Sequence, residues 1–379
     1  MKPNAIFLLL GVLGLCACGG GEKDAGALPA PEVLTADSLE VHEIFRPHKF
    51  FPLGDRMVVQ TLEDTVFYVY GLPDFVFRYA QGRRGEGPDE FLSPIAMPTG
   101  GEDVFSVRTY RGGQRTMELY RALDTALVKV GTFRDWGFDP NYQMACVVVE
   151  DSLLVGAFIE DSPQRRHVLR LVDLRSGEVL DSLTDFYEYT LPFDGRENMG
   201  RNTAWVAASG SRLAIAYQET QTLALYEIKD RRFRQVASLG DEPAPGRESF
   251  DPDPSHSRVS YVALFADSDR VYAVNAHTDV AALVRGEDRD VVVEVYDWTG
   301  RGLGAYRFDR KNLWVVGVDG KRKTIYAIDP RQDFDRIYAY RFSAAVEAGK
   351  RKPRAFTPGA FACPLRLKGV FPSDRKSLR

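Results

Sequence analysis

The chain has 379 residues, with 49 Lys and Arg against 53 Asp and Glu, a formal net charge of −4 and 44% hydrophobic residues. This is ordinary globular usage, so collagen-like, coiled-coil and wholly disordered chains are excluded. Four cysteines are too few to staple a chain of this length, which also excludes a disulfide-dense scaffold. Aromatic residues make up 12% of the chain and favour β-structure.

The N-terminus is predicted to be a processing signal. Lys2 precedes the apolar stretch 5–17, which is shorter than the roughly 20 residues that span a bilayer. The stretch ends in Leu15-Cys16-Ala17-Cys18, which resembles the lipobox of bacterial lipoproteins. The resemblance implies that residues 1–17 are a signal peptide and that Cys18 carries the acyl chains of a membrane anchor. A plain secretory signal with a chance cysteine is the alternative.

Residues 18–34 are predicted to be a flexible tether, because 19–31 consists largely of Gly, Ala, Pro and charged residues without apolar periodicity. Gly19 stands where the inner-membrane retention signal of enteric bacteria has Asp. The acidic cluster 22–24 loosely resembles the surface-export tethers of Bacteroidetes lipoproteins. These features predict a lipid-anchored protein of the bacterial envelope, at the outer membrane, on its periplasmic or its surface face.

Between residues 35 and 345, short β-branched or aromatic runs recur after turns rich in Asp, Gly and Ser. The first runs of the repeats are 57–59, 104–107, 153–155, 213–216, 271–274 and 325–328. The second runs are 75–77, 117–120, 168–172, 223–226, 291–296 and 337–340. Units of about 50 residues, each with room for four strands, predict an all-β chain that forms a six-bladed β-propeller with four-stranded antiparallel blades.

The ring is predicted to close through the N-terminus. The last unit, 312–342, holds about three strands, and 38–45 is a spare strand at the other end of the repeats. Pairing that strand into the last blade would remove the open edges, which are otherwise prone to aggregation.

The stretch 82–91 (GRRGEGPDEF) resembles the G-x-G-P-x-E-F signature of the TolB-like six-bladed β-propeller lipoproteins of Bacteroidetes. Residues 293–300 resemble the late-blade strand and turn of that family, and 326–328 with 336–340 resemble its closing blade. The resemblance covers roughly residues 35–345. It implies an envelope lipoprotein and no defined catalytic residues.

The signature also has a physical interpretation. Gly85 and Gly87 permit a positive φ, Pro88 fixes a bend, and Phe91 would fill the gap between the first two blades. Asp89 or Glu90 would then cap backbone amides. The alternative to this structural crossover is a loop that contacts an anion or a sugar through Arg83, Arg84 and Glu86.

Two further loops carry possible ligand contacts. The loop 186–202 combines aromatic and charged residues, which suit sugar or peptide contacts as well as packing over a gap between blades. Its candidate contact residues are Tyr187, Tyr189, Arg196 and Arg201. The acidic loop 251–256 could bind Ca²⁺, although a solvated loop between blades is the simpler interpretation.

No catalytic or metal-binding pattern is found. The five histidines form neither an H-E-x-x-H nor an H-x-H pair, and no G-x-S-x-G elbow is present, so no metal and no cofactor are predicted. The histidines are His42, His48, His167, His256 and His277. Cys146 and Cys363 could form a disulfide in the envelope. Cys146 begins an apolar run, however, which favours a buried free thiol.

Charge is distributed unevenly. The tail 346–379 is predicted to lie outside the propeller, and residues 350–379 hold nine basic residues and one acid, Asp374. The remaining mature chain is therefore acidic, which argues against nucleic acid as a partner. The tail could dock on the acidic body, touch anionic lipid or be disordered.

These observations predict an envelope-anchored, non-enzymatic β-propeller that binds or scaffolds a protein, a peptide or a glycan. The alternative is a hydrolase or lyase that acts on polysaccharide at a central funnel.

Overall fold

A computed structural model describes residues 28–44, 46–137, 146–150, 152–159, 167–183, 192–193, 196–197, 204–218, 221–240, 258–332 and 334–343. The chain divides into two units, Met1–Val346 and Glu347–Arg379, and every described residue belongs to the first. The predicted signal peptide, Cys18 and the basic stretch of the tail lie outside the described residues, so the predicted domain boundaries there remain predictions.

The fold is a six-bladed β-propeller of four-stranded antiparallel sheets arranged in a ring, as predicted. Blade 1 contains β3 (Pro47–Leu53), β4 (Arg56–Thr61), β5 (Thr65–Gly71) and β6 (Val76–Arg83). Blade 2 contains β7 (Leu92–Met97), β8 (Val104–Arg111), β9 (Gln114–Ala122) and β10 (Leu127–Arg134). Blade 3 contains β11 (Cys146–Val149), β12 (Leu153–Ile159), β13 (His167–Asp173) and β14 (Val179–Leu183).

The second half of the chain repeats this pattern after a short hairpin, β15 (Pro192–Phe193) and β16 (Arg196–Glu197). Blade 4 contains β17 (Ala204–Ser209), β18 (Arg212–Tyr217), β19 (Leu223–Lys229) and β20 (Arg232–Leu239). Blade 5 contains β21 (Arg258–Ala266), β22 (Arg270–Asp279), β23 (Val292–Asp297) and β24 (Gly302–Phe308). Blade 6 takes β25 (Trp314–Asp319), β26 (Thr324–Ile328) and β27 (Arg336–Arg341) from the end of the chain.

The N-terminal segment closes the ring, as the spare strand predicted. Strand β2 (Ala36–Glu40) pairs antiparallel with β27 and is the outermost strand of blade 6. It begins and ends earlier than the predicted 38–45, because the backbone after Val41 turns toward blade 1 and buries Ile44. Just before it, β1 (Glu32–Leu34) pairs parallel with β24, so the same segment also covers the outer edge of blade 5.

The hydrophobic core lies between the blades. The described residues form six buried clusters, and each cluster combines side chains of two neighbouring blades. This arrangement explains the sequence pattern, because the middle strands of a blade are covered on both faces. Strand β4, for example, is buried over five of its six positions.

The sequence did not predict α1 (Val280–Val284), a short helix in the connection between β22 and β23. Asp279 caps it by accepting a hydrogen bond from the amide of Ala282 at 2.7 Å. It is the one helix in the described part of the chain, and its brevity explains why no helical periodicity was visible. Among the described residues, no helix has the length and apolar character to cross a membrane.

Candidate binding face

The two ends of the ring are built differently. Because the strands of a blade alternate in direction, the first and third hairpins of every blade lie at one end, which we call the turn face. The second hairpins and the links between successive blades lie at the other end, which we call the connection face. The signature stretch 84–91, which links blades 1 and 2, belongs to the connection face.

The first turn of blade 2 bridges several blades on the turn face. The amide of Gly210 in blade 4 donates to the carbonyl of Gly100 at 3.0 Å, and the amide of Gly100 donates to the carbonyl of Val148 in blade 3 at 2.7 Å. Two residues later, Glu102 pairs with Lys321 of blade 6 at 2.6 Å. One turn thus contacts blades that lie on either side of it.

The signature stretch forms a wedge between blades 1 and 2, which confirms the structural interpretation. Phe91 is 5% exposed and meets Phe67 of blade 1 edge-on at 5.5 Å and Tyr120 of blade 2 at 5.8 Å. Glu90 accepts a hydrogen bond from the amide of Gly87 at 3.0 Å. The positive φ, however, is at Gly82 (+84°) and not at Gly85 or Gly87, and a Cβ at Gly82 would lie 2.8 Å from the Phe91 ring. Gly85 is needed for space instead, because a Cβ there would overlap the Glu90 carboxylate.

Arg111, at the end of β8, holds this wedge in place. Its guanidinium lies 4.9 Å from the centre of the Phe91 ring and donates to the carbonyls of Pro88, at 3.2 Å, and Glu90. The same side chain donates from Nε to Glu118 at 3.0 Å. The loop is therefore tied to a buried carboxylate of blade 2, a link that sequence reasoning missed.

The three candidate ligand contacts in this stretch have different surroundings. Arg84 donates to the carbonyls of Glu63, at 3.3 Å, and Thr61, at 3.2 Å, so it fastens the stretch to blade 1. Arg83 is 79% exposed and lies 3.7 Å from Glu90, while Glu86 is exposed. Arg83 and Glu86 are accessible on the connection face, and their role in binding stays a prediction.

The second predicted contact loop falls largely outside the described residues. Tyr187, Tyr189 and Arg201 lie outside them, and so does the acidic loop 251–256. Arg196 is placed only by its backbone, as the first residue of β16.

The side-chain amine of Lys49, in β3 of blade 1, lies against the innermost strand of blade 2 and near Cys146 of blade 3. Lys49 donates from Nζ to the carbonyl of Ala96 in β7 at 3.0 Å. Burial lowers the pKa of Lys49 to about 8, although the nearby thiol of Cys146 acts in the opposite direction. Gln60, 1% exposed, donates to the carbonyl of Pro94 at 2.8 Å and accepts from the amide of Ala96 at 3.0 Å. The side chains of Lys49 and Gln60 thus form hydrogen bonds with backbone groups on the edge of β7 that pairs with no other strand.

The histidines and cysteines whose side chains the structure describes lie in separate surroundings. His42 is exposed beside Glu40, and burial, together with the charges of Lys49 and Arg84, lowers the pKa of His48. Cys146 is a buried free thiol, and burial raises its pKa. Cys363 and His256 lie outside the described residues, and His167 is placed only as the start of β13. Within the described ranges, no group of three or more His, Cys, Asp or Glu side chains could hold a metal ion.

Two buried carboxylates on opposite sides of the ring share one pattern, Glu-x-Tyr in the third strand of a blade. In blade 2, Tyr120 donates to Glu118 at 2.6 Å. In blade 5, Tyr296 and Tyr261 donate to one oxygen of Glu294 at 2.9 and 3.0 Å. The signal for both is a glutamate inside an apolar run, which must find partners when the strand is buried.

The connection face also exposes apolar side chains. Trp314, the first residue of β25, is 55% exposed. Leu62, between β4 and β5, is 52% exposed, and Val284, the last residue of α1, is 83% exposed. An exposed tryptophan is a common anchor of protein interfaces.

Comparison with known proteins supports the fold. No protein-family model matches the chain, and no curated protein sequence matches it. Among solved structures, the chain is similar to a "Putative exported protein" from Bacteroides fragilis, with a TM-score of 0.51 and 12% identity over 83% of this chain and 97% of that one. It is less similar to the WD40 domain of Toxoplasma gondii coronin, with a TM-score of 0.39 and 10% identity over 84% of this chain and 79% of that one.

Proposed function

We propose that this protein is a lipid-anchored, non-enzymatic binding module of the bacterial envelope, and that it binds a protein, a peptide or a glycan with its connection face. The observation that carries the proposal is the asymmetry of the ring. On its turn face, the contact between Gly100 and Gly210 bridges two blades that are not neighbours. Its connection face carries the signature stretch and the exposed side chains of Leu62, Val284 and Trp314.

Leu28, near the start of the described residues, packs against the cluster between blades 4 and 5. Within this proposal, the tether that precedes it holds the turn face toward the membrane and leaves the connection face free for a partner.

The envelope location rests on the lipobox-like residues before Cys18 and on the name of the similar Bacteroides fragilis protein, which is described as exported. We extend that location to this chain, with the outer membrane as its site. Membership of the TolB-like family is part of the same proposal, and the signature stretch supports it.

The alternative, an enzyme that cleaves polysaccharide at a central funnel, needs carboxylates that reach the axis. Glu118 and Glu294 are instead surrounded by hydrogen-bond donors of their own blades. The amide of Asn275, for example, occupies the remaining oxygen of Glu294 at 3.1 Å. Both carboxylates therefore stabilise blades, which favours the binding module over the enzyme.

Mass spectrometry of the protein purified from bacterial envelopes tests the anchor. We expect a mature N-terminus at Cys18 with diacylglyceryl and N-acyl groups, and we expect Cys18→Ser to leave the membrane fraction. An unmodified Cys18 in a membrane-bound protein would contradict the anchor.

Photo-cross-linking in envelopes tests the binding face. A photoreactive residue at Leu62 or Val284 should give a discrete cross-linked partner. The same residue at Leu123, which is 43% exposed on the turn face, serves as the matched control and should not. Equal cross-linking from Leu62 and Leu123 would contradict the assignment of the face.

A further inference from the structure

Arg289 is held rigidly on the connection face, in the link between β22 and β23 of blade 5. Its amide donates to the side-chain oxygen of Asn312 at 3.0 Å, and the amide of Asn312 donates back to the carbonyl of Arg289 at 3.0 Å. Asn312 is 7% exposed and also donates to Asp288 at 2.6 Å. The backbone of Arg289 is thus fixed by the link that leads into blade 6.

The acidic side chains near Arg289 are already paired with other bases. Asp288 and Asp329 pair with Arg331 at 3.2 and 3.1 Å, and Asp290 pairs with Lys311 at 2.6 Å. Within the described part of the chain, no carboxylate reaches the guanidinium of Arg289, and its buried Nε has no hydrogen-bond acceptor. Among the described residues, Arg331 and Lys311 thus engage these carboxylates, and the guanidinium of Arg289 is left without a carboxylate partner.

This arrangement is unfavourable for the protein alone. Burial and the neighbouring charge of Arg331 lower the pKa of Arg289. Arg289 is partly exposed, but its Nε is buried, and buried donors normally have a hydrogen-bond partner, so this exception calls for an explanation. An anion at the guanidinium would remove both penalties, because it would supply hydrogen-bond acceptors and a negative charge.

We propose that Arg289 is an oxyanion-binding residue that takes a carboxylate or a phosphate group on the connection face. The planar guanidinium forms paired hydrogen bonds with both of these groups. The inference rests on the proposed function, because it names the chemistry of the group that the connection face recognises.

The surroundings of Arg289 suit such a ligand. Trp314 follows Asn312 by two residues and exposes its indole on the same face. Arginine and tryptophan are the residue types that contribute most to interfaces. An oxyanion attached to an apolar or ring-shaped group would use both side chains.

Thermal unfolding and isothermal titration calorimetry with inorganic phosphate, and separately with acetate, test the inference at constant ionic strength in chloride. We expect the full-length protein to bind at least one of these anions and to unfold at a higher temperature in its presence. Arg289→Gln should weaken that binding about tenfold or more, since it removes a charge-assisted pair of hydrogen bonds. Arg289→Lys keeps the positive charge but lacks the planar guanidinium. Its affinity for the anion should lie between those of the unchanged protein and Arg289→Gln.

The control is Arg285→Gln, which removes an exposed arginine of the same link that pairs with Glu287 at 2.5 Å. It should bind as the unchanged protein does. Without added anion, Arg289→Gln should be at least as stable as the unchanged protein, because it removes an uncompensated charge. A less stable Arg289→Gln without anion, equal binding by Arg289→Gln, or no response of the unchanged protein to either anion would overturn the inference.

The outcome is separable from that of the proposed function. Anion binding at Arg289 combined with cross-links from Leu123 would contradict the binding face and leave the oxyanion site standing. Cross-links from Leu62 and Val284 without any anion response would support the binding face and overturn the oxyanion site.

Discussion

The amide of Gly210 in blade 4 lies 3.0 Å from the carbonyl oxygen of Gly100 in blade 2, so two blades that are not neighbours are hydrogen bonded. This contact bridges blades 2 and 4 across the turn face of the ring. The connection face, at the other end, carries the exposed side chains of Leu62, Val284 and Trp314 and the unpaired guanidinium of Arg289.

The contact predicts a steric requirement at Gly100. A Cβ there would lie 3.1 Å from the carbonyl oxygen of Gly210, so Gly100→Ala should lower the free energy of unfolding by about 1–3 kcal/mol. Gly101→Ala is the matched control, because its Cβ would meet the nearest atom at 3.5 Å. Urea unfolding of both variants checks the prediction. Equal stabilities would show that Gly100 and Gly210 do not pack as closely as described.

The wedge between blades 1 and 2 predicts a large effect at Phe91. Phe91→Ala should lower the free energy of unfolding by about 3–5 kcal/mol. The substitution would leave a cavity between blades 1 and 2 that the surrounding backbone cannot close. Val76→Ala, at an outer-strand position that is 54% exposed, should change it by less than about 0.5 kcal/mol. The same urea experiment measures both, and a small loss at Phe91 would exclude a wedge. Should Phe91→Ala fail to fold, Phe91→Leu should show an intermediate loss.

The buried carboxylate of blade 2 predicts a dependence on acid. Burial alone would raise the pKa of Glu118, but hydrogen bonds from Arg111 and Tyr120 outweigh burial and place its pKa below the ordinary value. The carboxylate has a pKa of about 4.3 in the unfolded chain and a lower pKa in the folded protein. Its stabilising contribution is therefore complete above about pH 4.3 and is lost as the pH falls through the pKa of the folded protein. Glu118→Gln should cost about 3 kcal/mol at pH 7, because it leaves Arg111 without its partner.

Unfolding of Glu118→Gln at a series of pH values measures this dependence. The difference in stability between Glu118→Gln and the unchanged protein should persist down to about pH 4 and then shrink. A difference that stays constant to pH 2 would mean that the ionised state of Glu118 does not stabilise blade 2.

Lys49 predicts a second rise of stability with pH, in the alkaline range. Its pKa is about 8 in the folded protein and about 10.4 in the unfolded chain, so the unfolded chain binds more protons between these values. Stability should therefore rise with pH from about 8 to about 10 through this residue, and Lys49→Met should lack that rise. Parallel pH profiles of the two proteins in urea unfolding would contradict a buried amine at this position.

The ring and its closure could be predicted from the sequence because both depend on local patterns of apolar runs and polar turns. Runs such as 271–274 and 325–328 recur after polar turns, and the incomplete last unit left a partner for β2. The wedge was predictable for the same reason, since glycines, a proline and Phe91 lie within ten residues.

The polar interactions were less predictable, because their partners come from distant parts of the chain. Lys49 meets a carbonyl 47 positions away, and the clamp on Arg289 comes from Asn312, 23 positions away. Glu118 was within reach, because a glutamate between Met117 and Leu119 in a buried strand needs a partner. Nothing in the sequence indicated that the turns of blades 2 and 4 would meet.

The binding face is the central claim, and the affinity of the cross-linked partner for two variants tests it most directly. Trp314→Ala removes an exposed apolar side chain from the connection face, and Leu123→Ala removes one from the turn face. We expect Trp314→Ala to weaken binding about thirtyfold, in line with a tryptophan at the centre of an interface, and Leu123→Ala to leave it within about twofold. Weaker binding by Leu123→Ala with unchanged binding by Trp314→Ala would contradict the account.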